Sequence, residues 1–430
     1  MIKIINVKDS NFSEELSKTL HRGEFESEKI EQIVKSIISG VKLSGDTALL
    51  ESIAQFDGWS PKNSAELIIT KDAMKKAYDA LDPMLKDALH TAYDRIRCYH
   101  EKLKPKSWID TEANGTILGQ KVTPVDKAGL YIPGGKATYP SSLLMNAIPA
   151  LVAGVDEIVV CTPTPNNEPN MLLLAAAHLC QISKIFKIGG AGAIAAMAYG
   201  TKTIPKVDVI TGPGNIFVAT AKKLVFGDVN IDMIAGPSEI GIIADESANP
   251  AWLALDMLSQ AEHDELAGSY LVTTSKKIAD ETAIEIEKYL KELPRNEISS
   301  TSIKNNGLIV ICENINEAID IMNDIAPEHL EVCTLNALEL LPYIKHAGAI
   351  FLGHFTPEAI GDYLAGPNHT LPTGASARFF SPLSTEHFMK KSSIISFSKN
   401  AINELGQKCA VIAQIEGLEA HRQSVLARLN

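Results

Sequence analysis

Lys184-Ile185-Phe186-Lys187-Ile188-Gly189-Gly190-Ala191-Gly192-Ala193-Ile194-Ala195 carries the change of texture that decides the fold class of this chain. A short apolar run gives way, at a pair of glycines, to small residues at helical spacing, which reads as strand, tight turn and helix. The same order recurs on both sides. Upstream, strands are expected at Leu130–Ile132 and Glu157–Cys161, with helices over Tyr139–Ala153 and Met171–Cys180; downstream, Val207–Thr211 leads into a helix over Ile216–Phe226. Strands and helices alternating at this spacing predict βαβ units and a parallel sheet. A second set follows, with strands at Glu239–Ala244, Tyr270–Thr274, Leu308–Cys312, Leu330–Thr334 and Ala349–Leu352, and Asp232–Glu239 joins the two sets. The class is therefore α/β with two modules. Glu28–Phe56 and Lys71–Lys104 read as a polar, helical N-terminal part, and Thr385–Asn430 is too small for a core of its own and must dock on something.

Composition narrows the function. The chain has 430 residues, 45% of them hydrophobic and 21% charged, so it can bury large cores. A formal net charge of -12 argues against a nucleic-acid-binding surface. No apolar run reaches the roughly 20 residues of a membrane span, and the start lacks a signal-peptide core, so a cytoplasmic location is expected. Cys98, Cys161, Cys180, Cys312, Cys333 and Cys409 are widely spaced and form no C-x-x-C pair, so neither a zinc ribbon nor a disulfide framework is expected.

Several short strings could carry chemistry, and each has a bland alternative. Gly190-Ala191-Gly192-Ala193-Ile194-Ala195 fits G-x-G-x-x-A, a dinucleotide fingerprint, but any tight strand-to-helix turn favours glycine. Gly212-Pro213-Gly214-Asn215 ends another strand, and Asn215 could simply cap the next helix. Tyr131-Ile132-Pro133-Gly134-Gly135 is a third such turn, and three together at one sheet edge could embrace a nucleotide. Gln260 and His263 share a helix face, where an amide oxygen and an imidazole nitrogen can meet one cation, or where a polar helix end is merely solvated. Glu328 and His329 sit side by side after Pro327 and could supply two proton-handling groups. Asp362, His369, Glu416 and His421 are unremarkable one by one, with His369 a candidate substrate contact.

Taken together, GLYIPGG, YPSSLLMNAIPA, IGGAGAIAAMAYGT, VDVITGPGNIFVATAKK, VNIDMIAGPSEI, SQAEHD, APEHLE, GPNHTLPTG and EGLEAH, in this order from about Gly129 to the end, resemble the histidinol dehydrogenase family. The resemblance implies an NAD-dependent enzyme with one Zn²⁺ per subunit. It would oxidise L-histidinol to L-histidine through the aldehyde with two NAD, the final step of histidine biosynthesis. It implies Gln260, His263, Asp362 and His421 as metal ligands, and Glu328 and His329 as the acid/base pair. The substrate would meet Ser238, Gln260, His263, His329, Asp362, Glu416 and His421, and NAD would meet Tyr131, Gly192 and Asn215. It implies two incomplete Rossmann-like modules: 1–25 as an N-terminal helical segment, 26–129 with 240–381 as one discontinuous domain, 130–239 as the NAD-binding domain, and 382–430 as a tail. In the homodimer this tail would be exchanged, so that active sites are shared.

At one position the chain departs from the family pattern. The family usually carries glutamine where this chain has Gly192, and that change creates the apparent fingerprint. Two rival readings remain: a related dehydrogenase of another alcohol, such as a sulfonated diol, or a non-catalytic zinc- or nucleotide-binding homologue. Glu416 and the EGLEAH ending favour an imidazole-bearing amino alcohol over the first. The retained Glu328, His329 and four metal-type ligands argue against the second.

Overall fold

The computed structural model describes residues 2–20, 28–134 and 140–429. Gly135 and Tyr139, part of the turn and helix expected there, lie outside the described residues. The strands in chain order are β1 (Lys3–Asn6), β2 (Ile68–Thr70), β3 (Trp108–Thr111), β4 (Ile117–Pro124), β5 (Lys127–Tyr131), β6 (Glu157–Thr162), β7 (Lys184–Lys187) and β8 (Val209–Thr211). They continue as β9 (Asn230–Ile231), β10 (Glu239–Ala244), β11 (Gly268–Thr273), β12 (Gly307–Ile311), β13 (His329–Cys333), β14 (Ala349–Leu352) and β15 (Met389–Ser396). They form two six-stranded sheets, β2-β7-β6-β5-β8-β9 and β1-β12-β11-β10-β13-β14, and a small one, β15-β4-β3. All pairings in the two large sheets are parallel except that of β2 with β7.

The parallel sheets explain why apolar runs, and not alternation, marked the strands. Every residue of β10, β11 and β13 is buried, because helices cover both faces. After an early edge strand (β2, β1), the parallel run in each large sheet begins at a middle strand (β5, β10), steps outward one way, then returns to the other side (β8, β13). That reversal opens a crevice beside the starting strand, the usual ligand position of such folds.

Packing shows where the N-terminal elements dock. Residues 28–103 pack chiefly on the β5–β8 sheet, and Arg95 also reaches the Leu364 and Ala365 carbonyls. Val34, Ile38, Val41, Leu49 and Ile53 share a core with Ile194, Met197 and Val218, while Leu89, Ala92 and Ile96 pack with Leu143 and Val160, all on the β5–β8 sheet. Within residues 2–20, β1 is an edge strand that pairs with β12, and the Phe12–Leu20 helix follows it. An apolar stripe on a helix says that it covers something, not which sheet it covers, and four residues are too few for a strand to declare itself. Residues 389–429 dock as expected for a stretch without a core: β15 pairs antiparallel with β4 along its whole length, and the Lys399–Ile415 and Glu419–Leu426 helices follow. Among the described residues, no helix is long and apolar enough to cross a membrane.

Candidate functional site

The catalytic candidates gather at the amino ends of β10 and β13, not at the carboxyl ends favoured by open α/β sheets. Pro327 and the left-handed Ala326 (φ 49°) end the Ile315–Ile325 helix and turn the chain into β13. Glu328 and His329 therefore enter the interior, at 5% and 4% exposure. The parallel register of β10 and β13 brings Glu239 beside them and anchors both. The Glu239 amide donates to Glu328 Oε2 (2.9 Å), and its carbonyl lies 3.0 Å from His329 Nδ1. A carbonyl can only accept, so Nδ1 carries a proton there, and in the neutral ring Nε2 is the nitrogen with the lone pair. That nitrogen has no hydrogen-bond partner among the described residues and lies 3.7 Å from Asp362 Oδ1 and 3.8 Å from Glu358 Oε1.

Beside this pair, His263, Glu358 and Asp362 offer ligand atoms all within 4.8 Å of one another. His263 follows the C-terminus of the Pro250–Ala261 helix, and Asp362 rides on a π-helical turn, Gly361–Ala365. Gln260, one turn before His263, is fully buried with both carboxamide atoms unpartnered. Leaving such a group unpaired costs about 1–3 kcal/mol, so it is built to meet something the chain itself does not supply. The uncommitted donors are a buried amide oxygen, an imidazole and carboxylates, an O/N set that suits a divalent metal such as Zn²⁺.

Electrostatics reinforce the picture. Burial pushes the Glu328 carboxyl up to about 8, against the opposing charge of His329. Burial alone would depress His329, yet the carboxylates of Glu328, Asp362 and Glu358 carry it up to about 10. Burial would raise Asp362, but His329, His369 and His263 hold it at about 2. The His263 imidazole is lowered, first by burial.

Glu358 is the residue that sequence reading missed. It is buried, one oxygen takes a hydrogen bond from Ser259 (3.1 Å) and the other is unpartnered. Its separation from Asp362, four residues along a helical turn, was the available signal. Behind it lies a second unforeseen acid: Glu331 accepts from the Glu358 amide (2.7 Å) and is raised well above the usual range by burial and by Asp256.

The nucleotide candidates cluster at the crevice between β5 and β8. The buried Tyr131 hydroxyl accepts from the Gly190 amide (3.3 Å). Gly212 (φ 116°) presses on the Tyr131 carbonyl, where a Cβ would lie 2.0 Å away, so only glycine fits. A buried ion pair, Lys222 with Asp232, grips both sides of that peptide: Lys222 Nζ donates to the Gly212 carbonyl (2.9 Å), and Asp232 accepts from its amide (2.8 Å). Asn215 does cap the Ile216–Val225 helix, accepting from Phe217 and Val218 amides. Its oxygen is spent there, which leaves the amide nitrogen to turn toward a ligand. Gly192 lies inside the Gly190–Tyr199 helix, facing Leu49 and Ser52.

Ser238 directly precedes Glu239, and its carbonyl accepts from Gly268. Glu416 and His421 are not gathered with the others: both are exposed, at the end of the Lys399–Ile415 helix and in the helix after it.

The family pattern described as "Histidinol dehydrogenase" matches residues 20–429. The chain belongs to the histidinol dehydrogenase family. A histidinol dehydrogenase of Sulfurimonas denitrificans is 66% identical over 98% of this chain and 98% of its own length. One of Wolinella succinogenes is 63% identical over 100% and 99%. The crystal structure of histidinol dehydrogenase from Elizabethkingia anophelis superposes with a TM-score of 0.94 at 34% identity, covering 99% of this chain and 98% of that one. Membership makes the chain an NAD-dependent oxidoreductase of amino-acid biosynthesis. The strings SQAEHD and APEHLE thus fall on the Gln260–His263 and Glu328–His329 cluster, and GLYIPGG and VDVITGPGNIFVATAKK on the crevice beside β5 and β8, while EGLEAH lies on the tail.

Proposed function

We propose that this protein oxidises L-histidinol to L-histidine in the cytoplasm, removing four electrons with two NAD. The observation that carries the reading is His329: a buried imidazole whose Nδ1 is tied to the Glu239 carbonyl and whose Nε2 points, unpartnered, into a set of metal-type ligands. Gln260, His263 and Asp362 of one subunit and His421 of its partner would hold a zinc ion, with Glu358 beside them. The ion would anchor the substrate's imidazole and amino nitrogens. Bound NAD supplies the hydride acceptor, once for each oxidation.

His329 Nε2 takes the hydroxyl proton as the first hydride leaves the carbinol carbon. Glu328 then draws a proton from the water that adds to the aldehyde, and its burial suits it to that exchange near neutrality. Protonated His329 returns its proton to the aldehyde oxygen as that water adds and, neutral again, takes the proton of the resulting diol as the second hydride leaves. A base must be neutral to act, and the carboxylates around His329 work against that. With their charge offset by a bound dication, the imidazole returns toward its ordinary range. Ser238 and the partner's Glu416 would complete the contacts to the substrate.

The exposed apolar side chains of the tail support its exchange in a dimer. Val411, Ile412, Ile415 (81% exposed) and Leu418 line the Lys399–Ile415 helix and its end, and Trp108, Ile109 and Ile395 lie on the small sheet. Such a face asks for a second copy.

The test of function is stoichiometry. Purified protein given limiting L-histidinol and excess NAD should form two NADH and one histidine per substrate. One NADH with free aldehyde, or turnover of a sulfonated diol with none of histidinol, would overturn the reading.

A smaller effect is expected at Gly192. A Cβ there meets only ordinary contacts, 3.6 Å to Ser52 and 3.8 Å to Leu49 and Ile188, so Gly192→Gln should fold. If the amide reaches NAD, calorimetry should show several-fold tighter binding, about the 1 kcal/mol of one hydrogen bond, with histidinol affinity unchanged. Unchanged or weaker NAD binding means that the chain makes up for that contact elsewhere.

A further inference from the structure

The π-helical turn Gly361–Ala365 carries Asp362 and ends at Gly366. The last carbonyls of any helical turn lack partners within it. The Asp362 carbonyl is met by His369 Nδ1 (3.0 Å), and the last two are met from the other module. On the Pro83–Leu103 helix, Arg95 Nε donates to the Leu364 carbonyl and Nη2 to the Ala365 carbonyl (3.3 Å). The next residue, Gly366 (φ 111°), closes against the same place: a Cβ there would lie 2.8 Å from the Arg95 carbonyl. Leu364 is packed against the core that Leu89, Ala92 and Ile96 share with the nucleotide-side sheet. The segment is thus held by its backbone and one side chain to a helix of the module that carries Tyr131 and Asn215.

We propose that Arg95 is a positioning residue for the metal site: it acts through the Leu364 and Ala365 carbonyls to fix the turn that aims Asp362 at His263 and Glu358. The inference rests on the reading of Asp362 as a metal ligand. Arg95 is itself exposed and reaches no reacting atom, so its role is orientation. The planar guanidinium suits it to this, since its donors are fixed relative to one another and can grip two neighbouring carbonyls at once. A lysine presents a point charge on a flexible stem and can hold only one of them well.

The probe is Zn²⁺ itself, titrated into chelator-stripped full-length protein against a competing chromophoric chelator. Arg95→Ala should weaken zinc about tenfold, the lower end of the effect of removing a residue that orients a metal ligand. The thermal midpoint of the metal-free protein should not move, and Arg95→Lys should recover part of the affinity. Unchanged zinc affinity in Arg95→Ala would overturn the proposal. So would a loss of affinity that follows a matching fall in the metal-free midpoint, because the role would then be general stability. Asp362→Asn in the same titration separates the two levels. If it loses zinc heavily while Arg95→Ala does not, the positioning role alone is wrong. If it keeps zinc at wild-type affinity, the metal-site reading fails and takes the proposal with it.

Discussion

His329→Gln should lower kcat for histidinol oxidation by roughly 10²–10⁴-fold, the usual worth of a positioned general base. The site's geometry gives the reason. Its Nδ1 proton is committed to the Glu239 carbonyl, so the free nitrogen is the one facing Asp362 and Glu358, and glutamine offers no basic nitrogen there. Substrate anchoring by Gln260, His263 and Asp362 would remain, so KM for histidinol should change by far less than kcat. Steady-state rates on metal-replete protein, with metal content checked in both forms, decide the matter. A kcat within tenfold of wild type would mean that another group takes the proton. A loss confined to KM would mean that His329 binds the substrate instead of acting on it. Glu328→Gln offers a contrast, since it should spare oxidation of pre-hydrated aldehyde more than oxidation of the alcohol.

What could be read from the sequence followed physical cause. β10 and β12 announced themselves because strands covered on both faces are largely continuous apolar runs, and Ile240, Ile242, Ile243 and Ile309 are wholly buried. Edge and solvated strands gave no such run. β1 is Lys-Ile-Ile-Asn, β9 has two residues, and β3 is exposed throughout, so each exists only through its partner. The paired Glu328 and His329 were legible as chemistry because they adjoin in the chain. Glu358 was not, because its importance comes from a fold that brings one face of a short helical turn to His263, far off in sequence. The Lys222–Asp232 pair was equally silent. Two ordinary charges ten residues apart acquire meaning only when burial makes their pairing obligatory and sets them on one glycine peptide. At the Gly192 string, the motif on paper does not tell that Gly192 lies inside the Gly190–Tyr199 helix, with Ser52 and Leu49 nearby.

Crossing two inactive subunits should restore activity, because the site as proposed needs two chains. Within one chain, His263, Glu358 and Asp362 come together, while His421 and Glu416 stand exposed on the tail helices. A tail bound to its own chain through β15 and β4, yet showing Ile412, Ile415 and Leu418 to solvent, is poised to lie against a second copy. Two-fold symmetry then makes the exchange reciprocal. His329→Ala and His421→Ala should each give inactive homodimers, the first lacking a base and the second a metal ligand. Refolded together, they should form heterodimers in which one site collects both lesions and the other collects none. Statistical mixing makes half the dimers mixed, each with one intact site, so activity should approach about a quarter of wild type. Metal analysis provides an independent check, because His421→Ala homodimers should bind zinc weakly and the mixture should regain part of the capacity. If heterodimers form and the mixture stays inactive, His421 serves its own chain, and the exposed tail helices must swing toward their own active site instead of a neighbour's.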